Sequence, residues 1–226
     1  EEAFKYNKSI RYGLSAIKSI GKPVIDAIVR ERNQNGIYRN FRDFVERLSG
    51  KELNKRTIEN FIKAGALDGL CDNRKQLMMI YVQVVDSVNQ EKKNAMAGQM
   101  SLFDFVAEED KKDFEIRMPD VEEYDKEQLL AFEKEVLGVY ISGHPLEKYE
   151  KMWQKNISAT TMDFAYQEEL HGSRLFDGAE EIIGGMVEGI TVKHTKNNKT
   201  MAFLTIEDLL GTVEVVVFPR QYEIYR

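Results

Sequence analysis

The spacing of apolar residues changes near Asp177, from the helical period of about 3.6 residues to the strand period of about 2. This change divides the chain into a helical part and a strand-rich part. Ile10, Leu14, Ile17 and Ile20 share one face of a first predicted helix, and Val24, Ile25, Ile28 and Val29 share a face of the next. Between them Gly21-Lys22-Pro23 forms a tight glycine turn, with Pro23 where a first helical turn tolerates a missing N–H. Asn40 is the expected N-cap of a third helix that carries Phe41, Phe44, Val45 and Leu48 and stops near Gly50. Leu53, Thr57, Ile58, Phe61 and Ile62 then lead into Gly65-Ala66-Leu67-Asp68-Gly69, again a helix followed by a glycine turn. A longer helix begins after Asp72 or Asn73, carries Leu77, Ile80, Val84, Val85 and Val88, and ends near Asn94. A loop follows to Asp113, then a helix from Tyr124 to Leu137 and a shorter one that starts after Gly143-His144-Pro145. His144 is read there as a capping or exposed residue rather than an acid-base group.

Ile182 to Val192 is a predicted strand broken by Gly184, Gly185 and Gly189, and Lys193 to Lys199 is a polar hairpin loop. Met201 to Glu207 alternates as a second strand, and Val213 to Phe218 is a third, ended by Pro219. Such a meander, with glycines where its first strand must bend, suits the opening of a small five-stranded barrel with two strands missing. The fold class is therefore mostly α with a β C-terminal part.

The formal net charge of −6 is unevenly spread. Residues 1–75 hold 16 Lys and Arg against 10 Asp and Glu, a net of +6, whereas residues 106–127 hold 4 against 10, a net of −6. The basic end suits a polyanion, and the acidic stretch is expected to be a solvated connector that repels nucleic acid. With 42% hydrophobic residues the chain can bury a core in one large domain or two small ones, and collagen-like or low-complexity classes are excluded. Cys71 is the only cysteine, so a disulfide scaffold is excluded and a reducing, cytoplasmic setting is expected. No apolar run reaches the roughly 18 residues of a membrane span, and Glu1-Glu2-Ala3-Phe4-Lys5 lacks the layout of a signal peptide. The missing initial Met and the strand-rich end lead us to expect a segment of a longer polypeptide.

Two units, Ser19-Ile20-Gly21-Lys22-Pro23 and Lys63-Ala64-Gly65-Ala66-Leu67, are candidate phosphate-binding hairpins. Free N–H groups at the start of a helix favour an anion, and glycine allows its close approach. Lys18, Lys22, Arg56 and Lys63 lie on or near these turns and can add contacts indifferent to base sequence. The alternative is an ordinary helical hairpin in which each glycine is a C-cap. Two such units in a segment of net charge +6 favour DNA.

Gln99-Met100-Ser101-Leu102-Phe103 combines a polar residue that can fix register with adjacent large apolar residues that can fill a pocket. It either docks into a partner's groove or folds back, with Phe105, onto its own core. At the strand-rich end, Phe203 and Phe218 can stack bases while Lys193, His194, Lys196 and Lys199 track a backbone. The barrel interior is the favoured location for each Phe. Catalytic motifs are lacking: there is no paired-Asp strand, phosphate-binding P-loop, nucleophile elbow or Cys-x-x-Cys. His144, His171 and His194 lie 27 and 23 residues apart, which is not a ligand spacing, so neither a metal site nor a catalytic residue is expected.

Four ordered stretches carry a family resemblance: Ile10 to Ala27 with Ser19-Ile20-Gly21, Phe61 to Leu70 with Gly65-Ala66-Leu67-Asp68, Gln99 to Phe103, and Leu137 to Leu146 with Gly138-Val139-Tyr140-Ile141-Ser142-Gly143-His144-Pro145. On these the chain resembles the C-terminal part of the bacterial replicative DNA polymerase III alpha subunit family, nearly throughout its length.

The resemblance implies a tandem helix-hairpin-helix DNA-binding domain over 1–94, a clamp-binding loop and acidic linker over 95–123, a helical connector over 124–180, and the N-terminal part of an OB-fold domain over 181–226. It implies that double-stranded primer-template DNA meets Lys18, Ser19, Gly21, Lys22, Arg56, Lys63 and Gly65, and that Gln99, Met100, Ser101, Leu102 and Phe103 dock on the ring-shaped sliding clamp. Single-stranded template is the implied partner of Lys193, His194, Lys196, Lys199 and Phe203. The family's palm, with its Mg, is placed upstream of Glu1, so no cofactor is expected here. Two further readings stay open: a stand-alone nucleic-acid adaptor with an OB module, and the related error-prone polymerase form.

Overall fold

In the computed structural model, which describes residues 12–50, 53–96, 116–167 and 172–226, Gly21 and Pro23 start the first α-helix, α1 (Lys22–Asn35). Tyr12 to Ile20 do not form the expected helix; among these residues only Leu14–Ala16 coils, as a 3-10 turn, and Ile17 is already extended. Two features oppose the helix. The Lys18 N–H donates to Val136 O at 2.8 Å instead of to a carbonyl one turn back, and Ser19 takes the left-handed conformation at φ 65°.

The next helices follow the apolar pattern. Helix α2 (Phe41–Leu48) is capped by the Asn40 side chain, which accepts from Asp43 N, and α3 (Lys55–Lys63) by Asn54, which accepts from Thr57 N. A 3-10 turn over Asp68–Leu70 leads to α4 (Arg74–Met96), and α5 (Lys126–Leu137) starts at the Asp125 cap, two residues later than expected. Phe41, Phe44, Val45, Leu48, Ile58, Phe61, Ile62, Leu77, Val84, Val85 and Val88 close into one buried core, reached also by Ile17, Val24, Ile28 and Val136. Each fully buried side chain of this kind contributes about 1.5–3 kcal/mol. Arg47 ties α1 to α2 by donating to Glu31 O at 3.0 Å and Gly36 O at 2.9 Å while it lies 4.4 Å over the Tyr38 ring.

In the described part of the acidic stretch Asp120, Glu122, Asp125 and Glu127 are exposed, as a solvated connector requires, but Glu123 is not. Asn73 Nδ2 donates to Val121 O at 2.9 Å, and Glu123 accepts from Arg74 N at 2.7 Å and from Lys75 N at 3.1 Å, so a carboxylate closes the N-terminus of α4. The positional reason is that an acid beside an open helix end finds N–H partners that water would otherwise take.

Residues 1–142 and 143–226 form two compact units. In the second, His144 starts a 3-10 turn over Pro145–Tyr149 that continues as α6 (Glu150–Asn156). The capping reading of His144 holds: its Nδ1 accepts from Leu146 N at 3.1 Å, and Glu147 accepts from His144 N at 2.9 Å.

Strands β1 (Met186–His194), β2 (Thr200–Glu207) and β3 (Thr212–Val217) form an antiparallel sheet in the order β1-β2-β3. Leu204 pairs with Ile190 and Val215, and Phe203 with Thr191 and Val216. β1 begins four residues later than predicted and bulges between Val187 and Gly189. Gly185 is required because a Cβ there would collide with Glu207 O. Asp208, buried in the turn to β3, accepts from Thr161 N and Oγ1, both at 2.7 Å, and from Leu210 N and Gly211 N. Pro219 ends β3 as expected but also opens a further helix, α7 (Pro219–Tyr225), which packs on β2. Three strands do not close, and the arrangement is a partial OB-like fold. Phe218 is the α7 N-cap and 62% exposed.

Candidate nucleic-acid interface

The first hairpin is open at its tip. Ser19, not Gly21, supplies the left-handed residue, and Gly21 is an extended N-cap at φ −79° and ψ 148°. No side chain caps α1, whereas side chains close the N-termini of α2, α3, α4 and α5. A Cβ added at Gly21 would meet nothing closer than Pro23 Cδ at 3.5 Å, so this surface is accessible. Lys18, Ser19, Gly21 and Lys22 are exposed around it, and Arg56 is exposed in the first turn of α3. An uncapped helix end beside flexible cations can hold a phosphate oxygen without reading a base.

The second hairpin is closed. Gly65 lies at φ 72°, its N–H donates to Ile62 O at 3.0 Å, and Ala66 N donates to Phe61 O at 2.9 Å, the paired bonds of a Schellman C-cap. A Cβ on Gly65 would collide with the Arg74 guanidinium, which donates from Nη2 to Asp68 at 2.9 Å and from Nη1 to Lys63 O at 3.2 Å. Lys63 is only 14% exposed at its side chain and pairs with Glu59 at 3.0 Å and Glu135 at 2.7 Å. Burial disfavours its ammonium, but these hydrogen bonds outweigh that and hold its pKa above the ordinary lysine value. For Gly65 the geometry is that of the capping alternative.

The two hairpins meet on α5. Lys18 Nζ donates to Glu135 O at 2.9 Å, and Asn60 Nδ2 donates to Lys18 O at 2.9 Å. Glu133, 1% exposed, accepts from Ile141 N at 2.8 Å and Ser142 N at 2.9 Å, and faces Arg74 Nη1 at 3.4 Å. Sequence reasoning missed Glu123, Glu133 and Glu135. Their carboxylates reach Lys75, Arg74 and Lys63, partners 48 to 72 residues away, and no spacing rule reaches so far.

In the second unit, Lys193, His194, Lys196 and Lys199 are exposed on and beside the β1–β2 hairpin, which turns at the left-handed Asn198. Lys193 Nζ lies 4.6 Å over the half-buried Phe203 ring, pairing a cation with an aromatic face, the elements that a single strand needs. Gln99, Met100, Ser101, Leu102 and Phe103 lie outside the described residues. Among the described residues there is no group of three or more His, Cys, Asp or Glu suited to a metal, and no helix long and apolar enough to cross a membrane.

Residues 1–77 match the helix-hairpin-helix motif family. Over 222 residues the chain is 37% identical to the DNA polymerase III subunit alpha of Borreliella burgdorferi, covering 97% of this chain and 19% of that protein. It is 35% identical over 220 residues to that of Saccharopolyspora erythraea and 36% over 222 residues to that of Mycobacterium tuberculosis, in each case covering 96% of this chain and 18% of the relative. The chain thus spans under a fifth of the length of these relatives.

Proposed function

This chain belongs to the DNA polymerase III subunit alpha family, as one continuous segment of it, and from that premise we propose that it grips duplex primer-template DNA and the sliding clamp to give a replicative polymerase its processivity. The observation that carries the duplex part is the uncapped α1 N-terminus beside exposed Lys18, Ser19, Gly21 and Lys22, within the helix-hairpin-helix stretch. Contacts of that kind follow the phosphates and ignore the bases, as a polymerase that must copy any sequence requires. Arg56 extends the track, and Lys193, His194, Lys196, Lys199 and Phe203 receive single-stranded template.

Gln99, Met100, Ser101, Leu102 and Phe103 supply the clamp anchor. A short peptide of this kind binds at about micromolar affinity, or about 8 kcal/mol. Attachment to a ring around the same DNA makes rebinding intramolecular and raises avidity by roughly 10² to 10⁴. Nucleotidyl transfer and its Mg belong to the polymerase modules upstream.

Calorimetry of the chain against its cognate clamp tests the anchor, with Leu102→Ala/Phe103→Ala as the variant and circular dichroism to confirm its fold. Binding by the parent alone supports the reading, and equal binding by both removes the motif from it. For duplex, a low-salt titration of the parent and Lys22→Ala should show binding, with a salt slope about 0.9 shallower in the variant. An unchanged slope excludes Lys22 as a phosphate contact.

A further inference from the structure

Glu135 sits in the last turn of α5, outside the helix-hairpin-helix stretch, yet it touches a lysine of each hairpin. Its carboxylate accepts from Lys63 Nζ at 2.7 Å and its carbonyl from Lys18 Nζ at 2.9 Å. The next carbonyl, Val136 O, accepts from the Lys18 N–H at 2.8 Å, which holds α5 against the first hairpin. Lys63 is largely enclosed, whereas the Glu135 side chain is 56% exposed and faces the solvent from which a phosphate would arrive. With Glu59 also on Lys63 at 3.0 Å, two carboxylates outweigh its one ammonium where a DNA surface needs a positive field.

We infer that Glu135 is a built-in competitor of DNA phosphate, an intramolecular anion that occupies Lys63 of the second hairpin and limits the grip of the segment on duplex. This rests on the duplex-binding reading above. Lys18 keeps its charge, since it is held by a neutral carbonyl, and Lys63 contributes to a phosphate only when Glu135 withdraws. Duplex affinity is thereby held low enough for the clamp attachment, not the hairpins, to decide how long the polymerase stays.

The test is fluorescence anisotropy of the full chain on a labelled duplex, between about 50 and 200 mM KCl, for the parent and three variants. Glu135→Gln keeps shape and removes charge, and Glu127→Gln makes the same charge change about 12 Å back along α5. The third variant is Glu135→Gln/Lys63→Gln. Glu135→Gln should bind several-fold tighter at low salt, with a slope about 0.9 steeper, so that its advantage shrinks about 3.5-fold across the range. Glu127→Gln should change affinity less than about twofold, and the double variant should lose the gain. Identical affinity and slope for parent and Glu135→Gln overturn the inference and leave the duplex reading standing. So does an equal gain in Glu127→Gln, or a gain kept by the double variant. A parent that fails to bind while Glu135→Gln binds supports the inference in its strongest form; failure of both removes the duplex reading and the inference with it.

Discussion

Truncation of Glu133 to Ala should destabilise the helical unit by about 2–4 kcal/mol. The side chain is 1% exposed, and its Oε2 accepts two backbone N–H groups, Ile141 at 2.8 Å and Ser142 at 2.9 Å. Each stranded donor costs about 1–3 kcal/mol, and the lower half of that range applies because the Ile141 and Ser142 side chains lie at the surface, where water can reach. Loss of the 3.4 Å contact to Arg74 adds little, since Arg74 keeps Asp68 and Lys63 O. Glu133→Gln keeps an acceptor in place and should cost about 1 kcal/mol. The assay is urea unfolding followed by circular dichroism, which is dominated by the longer helices of residues 1–142. Trp153, the only tryptophan, gives a separate fluorescence signal for residues 143–226. At about 1–3 kcal/mol per molar urea, the Ala variant should move the dichroism midpoint down by about 0.7 M or more. A midpoint within about 0.2 M of the parent, or equal losses for Gln and Ala, would refute the assignment of Glu133 as the acceptor that fixes the Ile141–Ser142 backbone.

Gly65→Ala should lose about 1–2 kcal/mol in the same dichroism experiment, because φ 72° suits glycine and the new Cβ displaces Arg74; parent-like stability would contradict the Schellman cap. Burial raises the Asp208 carboxyl, but hydrogen bonds from Thr161, Leu210 and Gly211 outweigh it and hold the pKa below the ordinary 3.8. A folded-state pKa below the unfolded one gives stabilisation that is complete above pH 3.8 and is lost as pH falls through the lower folded value. Asp208→Asn should flatten that acid limb of the Trp153 signal, and an unaltered limb would count against it. Burial, then Asp68, Glu123 and Asp72, push the Cys71 thiol up to about 11. Iodoacetamide at pH 8 should therefore label it on the order of 100-fold more slowly than free cysteine and faster in Glu123→Gln; labelling at the free-cysteine rate would exclude this environment.

What was legible in the sequence was local. The stripe Phe41, Phe44, Val45, Leu48 buries completely because a helix face is written within two turns, and Asn40 and His144 cap because the groups they serve lie two or three residues on. The first helix failed although Ile10, Leu14, Ile17 and Ile20 satisfy the same period: the Lys18 N–H goes to Val136 O, a partner no window includes. The acidic stretch shows the limit of counting charge, because Glu123 finds an address at the α4 N-terminus that its neighbours in sequence do not reveal. The candidate interface divides along the same line. Exposure of Lys18 and Lys22 follows from their place at a turn, but Lys63 and Arg74, counted within the +6 of residues 1–75, face carboxylates of Glu135 and Glu133 from outside that count. The positive field offered to a duplex is therefore a property of the folded unit with α5 in place, and it is centred on the first hairpin, where no acidic side chain closes the helix end.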